Sequence, residues 1–227
     1  IWDQPAAMWG TNWDVLYGQL RKRVPDDRYL QGCDATGLEE TNDGIVRVTL
    51  ADGTMHVFDL VICADGYDSI GRRALYPDRE IEYAGYILWR GLMPEMTVPD
   101  IEPFERGMVM GVYAFGHGFF YIVPGRSGGL ATGERRLNWG IYQVVTDEEA
   151  ANLLTDVNGV THRTSVPPGA VSGGQIDYAH RLAKDHFPNF IADAVCATPD
   201  PFVQAIYDAE IPAYHKGRIC VIGDAST

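Results

Sequence analysis

Long apolar runs are absent from this 227-residue chain. None approaches the roughly 18 residues that a membrane-spanning helix requires, so no membrane partner is expected. Positive charge is scarce as well: 18 lysines and arginines stand against 31 aspartates and glutamates, a formal net charge of −13. Such a surface repels a phosphate backbone, which excludes nucleic acid from the expected partners. Cys33, Cys63, Cys196 and Cys220 make no C-x-x-C and no regular spacing, and the six histidines supply no H-x-x-x-H. Neither a metal site nor a disulfide framework is indicated, and a reduced, cytoplasmic setting fits the thiols better. A dinucleotide-binding G-x-G-x-x-G loop is also missing; the nearest approach, Gly116-His117-Gly118, lacks the third glycine.

What is present is an ordinary globular composition, 46% hydrophobic and 22% charged, long enough for one large domain or two packed ones. The chain opens on Ile1-Trp2-Asp3-Gln4, which is no signal peptide, and closes directly after an apolar strand. Both ends read as cuts through a longer protein.

Periodicity places the elements. Trp13, Leu16, Tyr17, Leu20 and Val24 share one face of a helix expected over Thr11 to Val24, with Thr11 or Asn12 as its cap. Gly44 to Leu50 and Met55 to Phe58 form a hairpin across Ala51-Asp52-Gly53-Thr54. Leu60 to Ala64 is apolar without alternation, the pattern of a parallel strand covered on both faces. Between Ile81 and Val145 four aromatic and β-branched stretches follow one another without helices: Tyr86–Gly91, Met108–Phe115, Phe119–Val123 and Leu137–Val145. They predict an antiparallel or mixed sheet. Thr146 to Leu154, Ile176 to Phe187 and Phe190 to Ala197 read as helices, and Arg218 to Ile222 as a second fully apolar strand.

Two such strands, each ending in glycine beside aspartate, are the sharpest feature. Asp65-Gly66 follows the first and Gly223-Asp224 the second. In open α/β sheets ligands settle beyond the carboxyl ends of the strands, where a glycine admits a close approach and an aspartate holds a sugar-type hydroxyl. Each motif alone is more readily a plain turn than a site; the pair behind two such strands is what points to a site.

Asp65-Gly66-Tyr67-Asp68-Ser69-Ile70-Gly71-Arg72 resembles the D-G-x-x-S-x-x-R motif of the class A flavoprotein monooxygenases, the group that includes p-hydroxybenzoate hydroxylase, and Gly223-Asp224-Ala225 resembles their G-D-A. Tyr83-Ala84-Gly85-Tyr86, Trp89-Arg90-Gly91, Asn138-Trp139, Leu154-Thr155-Asp156, Pro167-Pro168-Gly169 and Pro201 to Ile206 are similar to the dihydroxypyridine monooxygenase branch. The resemblance implies an α/β (α+β) fold: a partial Rossmann-like FAD-binding domain carrying an inserted β-sheet substrate domain. The corresponding divisions are 1–78, 79–165 and 166–227. It further implies FAD and NAD(P)H as cofactors, a small aromatic substrate and O2 as partners, and hydroxylation of a phenol-like or hydroxypyridine ring by the intact protein, with a homodimer as a candidate assembly. The absent glycine loop is the main departure; it implies that this piece alone binds FAD poorly and is inactive.

By that resemblance Asp65, Gly66, Arg72, Gly223, Asp224 and Ala225 serve the cofactor, Arg72 as a partner for phosphate or for Asp68. Substrate contacts are expected from the sheet, with Trp89, Tyr113, Tyr121 and Trp139 as aromatic walls. His117 is a candidate acceptor of the substrate hydroxyl proton, because an unperturbed imidazole titrates near neutrality. Two rivals stand: a flavin-dependent isoprenoid reductase on the same scaffold, and a ligand-binding module without flavin.

Overall fold

Residues 10–226 are described by the computed structural model; Ile1–Gln4 and Thr227 lie outside them. In chain order the elements are α1 (Trp13–Arg21), β1 (Ala35–Glu40), β2 (Val46–Leu50), β3 (Met55–Phe58), β4 (Val61–Cys63), α2 (Ile70–Leu75), β5 (Glu82–Pro94), α3 (Glu102–Glu105), β6 (Val109–Tyr113), β7 (Gly116–Val123), β8 (Arg136–Val144), α4 (Asp147–Leu153), β9 (Ser165–Val166), α5 (Gly173–His186), α6 (Asn189–Ala197), β10 (Phe202–Asp208), β11 (His215–Lys216) and β12 (Ile219–Val221). This is the mixture of helix and sheet that the sequence predicts. The chain divides into two units, one of residues up to 23 with 85–206, the other of 24–84 with 207 onward. These boundaries differ from the divisions after 78 and 165 that the sequence predicts.

The smaller unit holds two three-stranded sheets, in the orders β1-β2-β3 and β11-β12-β4. The expected hairpin is present as β2 and β3, paired from Val46↔Phe58 to Thr49↔Met55. Its outer partner β1 escaped the sequence reading because Ala35–Glu40 carries no β-branched alternation beyond Thr36. β12 and β4 run parallel, with Ile219, Cys220 and Val221 opposite Val61, Ile62 and Cys63. Val46, Cys63, Leu75, Ile219, Val221 and Ala225 make the core of this unit.

One expectation needs correction. The apolar strand β4 is not covered on both faces: Cys63 is buried, yet Leu60 and Ile62 are each 57% exposed. The pleat sends alternate side chains to opposite faces, and among the described residues nothing covers the face that Ile62 occupies. The helix α1 departs in the same way. Asn12 caps it, accepting the Val15 N–H at 2.9 Å. Its apolar face, however, leaves Trp13 71% and Leu20 52% exposed.

The larger unit is built on a six-stranded sheet in the order β6-β7-β8-β5-β10-β9. The four expected strands are β5 to β8, and β5 pairs antiparallel with β8 from Tyr86↔Val144 to Pro94↔Arg136. Residues opposite each other share a face, so the registers sort the side chains into two sets. Trp89, Phe120, Leu137, Trp139 and Ile141 point to one side and are fully or almost fully buried. Helices α5 and α6 cover that side: Phe187 packs on Phe120 with ring centroids 6.0 Å apart, and Trp139 donates its indole N–H to Thr198 Oγ1 at 2.8 Å. The other side of the sheet keeps its aromatic residues only half-buried.

Candidate functional site

Two places carry chemistry, one in each unit. In the smaller unit the parallel pairing of β4 and β12 brings Asp65-Gly66 and Gly223-Asp224 to the same edge, since each motif starts two residues beyond the last paired position. Gly66 and Gly223 both turn the chain in the left-handed region, with φ of +77° and +60°. That region disfavours a side chain, and a Cβ at either position would meet nothing within 4 Å, so both backbones face open space.

The two aspartates are employed differently. Asp65 Oδ1 accepts the Ser69 hydroxyl at 2.6 Å, and Oδ2 accepts the N–H groups of Ile70 at 2.7 Å and Gly71 at 3.4 Å. Ser69 Oγ in turn accepts the Arg72 N–H at 2.9 Å. Asp65 and Ser69 together satisfy the amides that the first turn of α2 leaves without partners. Arg72 is 3% exposed and donates to the carbonyls of Tyr67 and Ala225, the latter at 3.1 Å. It therefore ties the first strand-end loop to the second. Asp68 accepts from Arg73 at 2.7 Å on the surface. Asp224 is exposed on a single 3₁₀ turn, Gly223–Ala225, and among the described residues its carboxylate has no hydrogen-bond or ion-pair partner. Behind the edge, burial foremost, with the charge of Asp65 adding, pushes the Cys63 thiol up to about 11, so it stays protonated and packs as an apolar group.

An FAD fits this edge in part. Open backbone at Gly66 and Gly223 admits a close approach, and Asp224 offers an unclaimed acceptor to a ribityl hydroxyl. The carboxylate of Asp65 is engaged by its own loop, so its part there is to hold the loop's shape.

In the larger unit the sheet registers decide where the aromatic candidates lie. Trp89, Tyr113 and Trp139 belong to the helix-covered face. Trp89 donates to Gln143 Oε1 at 3.3 Å, and Gln143 donates to the Tyr178 hydroxyl. Tyr113 donates to the Tyr142 carbonyl at 2.9 Å, and burial, with a contribution from Tyr178, pushes its phenol up to about 12. These three are packing residues with their polar atoms already used.

His117 and Tyr121 lie on the open face. His117 opposes Tyr142, ring centroids 4.8 Å apart, and Tyr121 opposes Asn138. Phe119 stands between them, 6.0 Å from Tyr121 and 5.8 Å from Tyr142. A Cβ at Gly140 would sit 2.4 Å from Phe119 Cζ, so the glycine is what lets that ring lie down against the strand. Arg90 is opposite Gly140 and stacks over Phe202 at 5.3 Å. Phe119, Asn138, Tyr142 and Arg90 escaped the sequence reading. Counting by twos outward from His117, once the strands are aligned, would have found the first three.

Beside Phe119 and Tyr121 opens a cavity of about 450 Å³, walled also by Phe104, Met108, Ile122 and Arg135. Its charged wall is fixed from behind. Arg135 donates to Glu95, which is buried and also accepts the Gly133 N–H at 2.9 Å, and to Glu105 at 3.0 Å. The Arg135 hydrogen bonds hold the Glu95 carboxyl below its ordinary range, and the same pairing raises the guanidinium.

The described residues contain no helix long and apolar enough to cross a membrane and no group of three or more His, Cys, Asp or Glu placed to hold a metal. The family model for "FAD binding domain-like" proteins matches residues 83–208. Among curated proteins the chain is 32% identical to the 2,6-dihydroxypyridine 3-monooxygenase of Paenarthrobacter nicotinovorans, over 98% of this chain and 55% of that protein. It is 30% identical to the 3-amino-4-hydroxybenzoate 2-monooxygenase of Streptomyces cremeus, over 93% of this chain and 45% of that one. Among solved structures the 2,6-dihydroxypyridine-3-hydroxylase from Arthrobacter nicotinovorans superposes with a TM-score of 0.83 at 29% identity, covering 94% of this chain and 54% of that chain. The chain thus spans about half the length of the relatives it matches.

Proposed function

We propose a function on the premise that the chain belongs to the FAD binding domain-like family. The reading is FAD-dependent hydroxylation of a small phenolic or hydroxypyridine ring, with NAD(P)H as reductant and O2 as the source of the oxygen atom. Two relatives whose names specify monooxygenation of such rings support it. The observation that carries it is the shared edge of β4 and β12, where Asp224 presents an unclaimed carboxylate between two open glycine backbones.

When bound, FAD supplies the redox chemistry, passing electrons from the nicotinamide to oxygen. The residues of this chain bind and orient. Asp224 accepts hydrogen bonds from the ribityl hydroxyls, and Gly223 and Gly66 admit the cofactor against the backbone. Asp65, Ser69 and Arg72 keep the two loops in shape. On the open sheet face, Phe119, Tyr121 and Tyr142 offer flat apolar contact to a ring, and Asn138 offers both a donor and an acceptor. His117 is the acceptor for the ring hydroxyl proton, since oxygen insertion is easiest into a ring made electron-rich by ionisation. Trp89, Tyr113 and Trp139 form the packed underside that sets these positions. The thiols, all four unpaired, support a cytoplasmic setting.

The test is direct. Purified with FAD, the intact protein of which this chain is part should show a bound-flavin spectrum, and 2,6-dihydroxypyridine or a hydroxybenzoate should accelerate its NAD(P)H oxidation with a product one oxygen atom heavier. Flavin binding with reduction of an isoprenoid double bond would favour the reductase. Ring binding with no flavin at all would favour the binding module.

A further inference from the structure

We propose that the cavity between the end of β8 and helix α5 binds a small zwitterion, an amino-acid-like molecule with one carboxylate, one ammonium and an apolar body. The cavity lies on the helix-covered side of the sheet. It does not depend on the assignment of the open face to the ring.

The cavity measures about 420 Å³, the size of a small-molecule site. Its floor is one stripe of α5: Tyr178, Arg181, Leu182 and Asp185 recur at intervals of three and four, which puts them on one helical face. The sheet contributes Gln143, and the turn between β6 and β7 contributes Phe115. Leu182 is buried, and Phe115 meets the His186 ring edge to face at 6.0 Å, which gives an apolar body a wall.

The polar groups set this cavity apart from a gap in the packing. Gln143 is 7% exposed and sits within a directed chain of hydrogen bonds. The Trp89 indole donates to its Oε1 at 3.3 Å, and its Nε2 donates to the Tyr178 hydroxyl. The Tyr178 oxygen is thereby engaged as an acceptor, and its proton is left to donate. Among the described residues no acceptor takes that proton, nor the second Nε2 proton of Gln143. Beside them Arg181 and Asp185 stand one turn apart with opposite charges, yet neither makes an ion pair with any described residue. Glu149 of α4 is the second acid of the lining. Its Oε2 accepts the Thr146 N–H at 2.8 Å and the Thr146 hydroxyl at 2.9 Å. Those bonds hold its carboxyl below the ordinary range, and its Oε1 has no donor among the described residues.

Charge decides the ligand class. A simple organic anion would meet the carboxylates of Asp185 and Glu149, and a simple amine would meet the guanidinium of Arg181. A zwitterion satisfies both signs. Its carboxylate takes the Arg181 fork together with the Tyr178 and Gln143 donors, and its ammonium takes the two acids. The apolar remainder lies along Phe115 and Leu182.

Phenylalanine, 3-phenylpropanoate and 2-phenylethylamine share one skeleton and carry, in turn, both charges, the negative one and the positive one. Each is titrated calorimetrically at one neutral pH into the intact protein of which this chain is part, with and without saturating 2,6-dihydroxypyridine. Phenylalanine should bind about tenfold or more tightly than either analogue, since each analogue lacks one set of charge-assisted hydrogen bonds. Dihydroxypyridine should leave that affinity unchanged. Arg181→Gln should abolish the advantage over 2-phenylethylamine, and Asp185→Asn, with Glu149 still in place, should reduce the advantage over 3-phenylpropanoate. Both residues are exposed on α5, and ligand-free unfolding curves that match the wild type establish that the variants fold. An analogue of single charge that binds as well as phenylalanine, no binding by any of the three, or a phenylalanine affinity untouched by Arg181→Gln overturns the proposal. Displacement of phenylalanine by dihydroxypyridine overturns it too and leaves hydroxylation standing.

Discussion

Asp65 and Asp224 stand at matching places, each just past the end of one of two parallel neighbouring strands, yet they do unlike work. Asp65 is wound into its own loop, with Ser69, Ile70 and Gly71 all donating to it. Asp224 has no protein donor among the described residues. A carboxylate that already accepts three hydrogen bonds has little left for a ligand, whereas one at an open glycine turn has all of it. The difference shows one loop held by its own hydrogen bonds and the other with a free acceptor, which under the proposed function is the one that meets the cofactor.

If that contrast is right, substitutions in the first loop should cost stability and substitutions at Asp224 should cost binding. The largest effect is expected from Arg72→Ala. Removing a buried guanidinium leaves the Tyr67 and Ala225 carbonyls short of donors and uncouples the two loops, with a loss of about 2–4 kcal/mol in chemical denaturation. A change below about 0.5 kcal/mol would break the clamp assignment. Asp65→Ala comes next, at about 1–2 kcal/mol, since three donors lose their acceptor at a partly solvated site. Any loss of flavin in that variant should track its unfolding rather than precede it. Ser69→Ala should cost about 1 kcal/mol, the usual worth of a helix cap. Smallest of all, Asp224→Ala should leave the unfolding free energy within about 0.5 kcal/mol of the flavin-free wild type, because no protein contact is removed.

Acid sharpens a second contrast, between Glu95 and the exposed carboxylates. The Arg135 hydrogen bonds lower the folded-state pKa of Glu95, so its contribution is fully present above the ordinary glutamate value of 4.5 and is lost as pH falls through the folded value. Glu95→Gln should therefore lower stability at neutral pH by about 1–3 kcal/mol and flatten the acid limb of the stability–pH curve. An unchanged acid limb would show that the buried pair contributes nothing there.

The sequence was readable where a pattern repeats locally. Strands β5 to β8, the hairpin of β2 and β3, and the two apolar strand ends all stood out from alternation or its absence. It was unreadable where the answer depends on register. Trp139 and Tyr142 look equivalent in a list of aromatics, but three positions along one strand put them on opposite faces. The same holds for Asp65 and Asp224: nothing in Asp-Gly or Gly-Asp announces that Ser69, four residues on, will donate its hydroxyl to the first aspartate. Coverage was misjudged for β4 and for α1 because an apolar pattern states what a face wants, and only its neighbours decide whether it gets it.

The contrast between the two strand ends is tested most directly by measuring flavin retention and folding stability on the same preparation of Asp224→Ala. The expected result, in the intact protein, is a variant that melts with the flavin-free wild type yet emerges from purification without its yellow colour, with Asp224→Asn retaining part of it. A colourless Asp65→Ala that melts normally, beside an Asp224→Ala that keeps its full complement of flavin, would contradict the account.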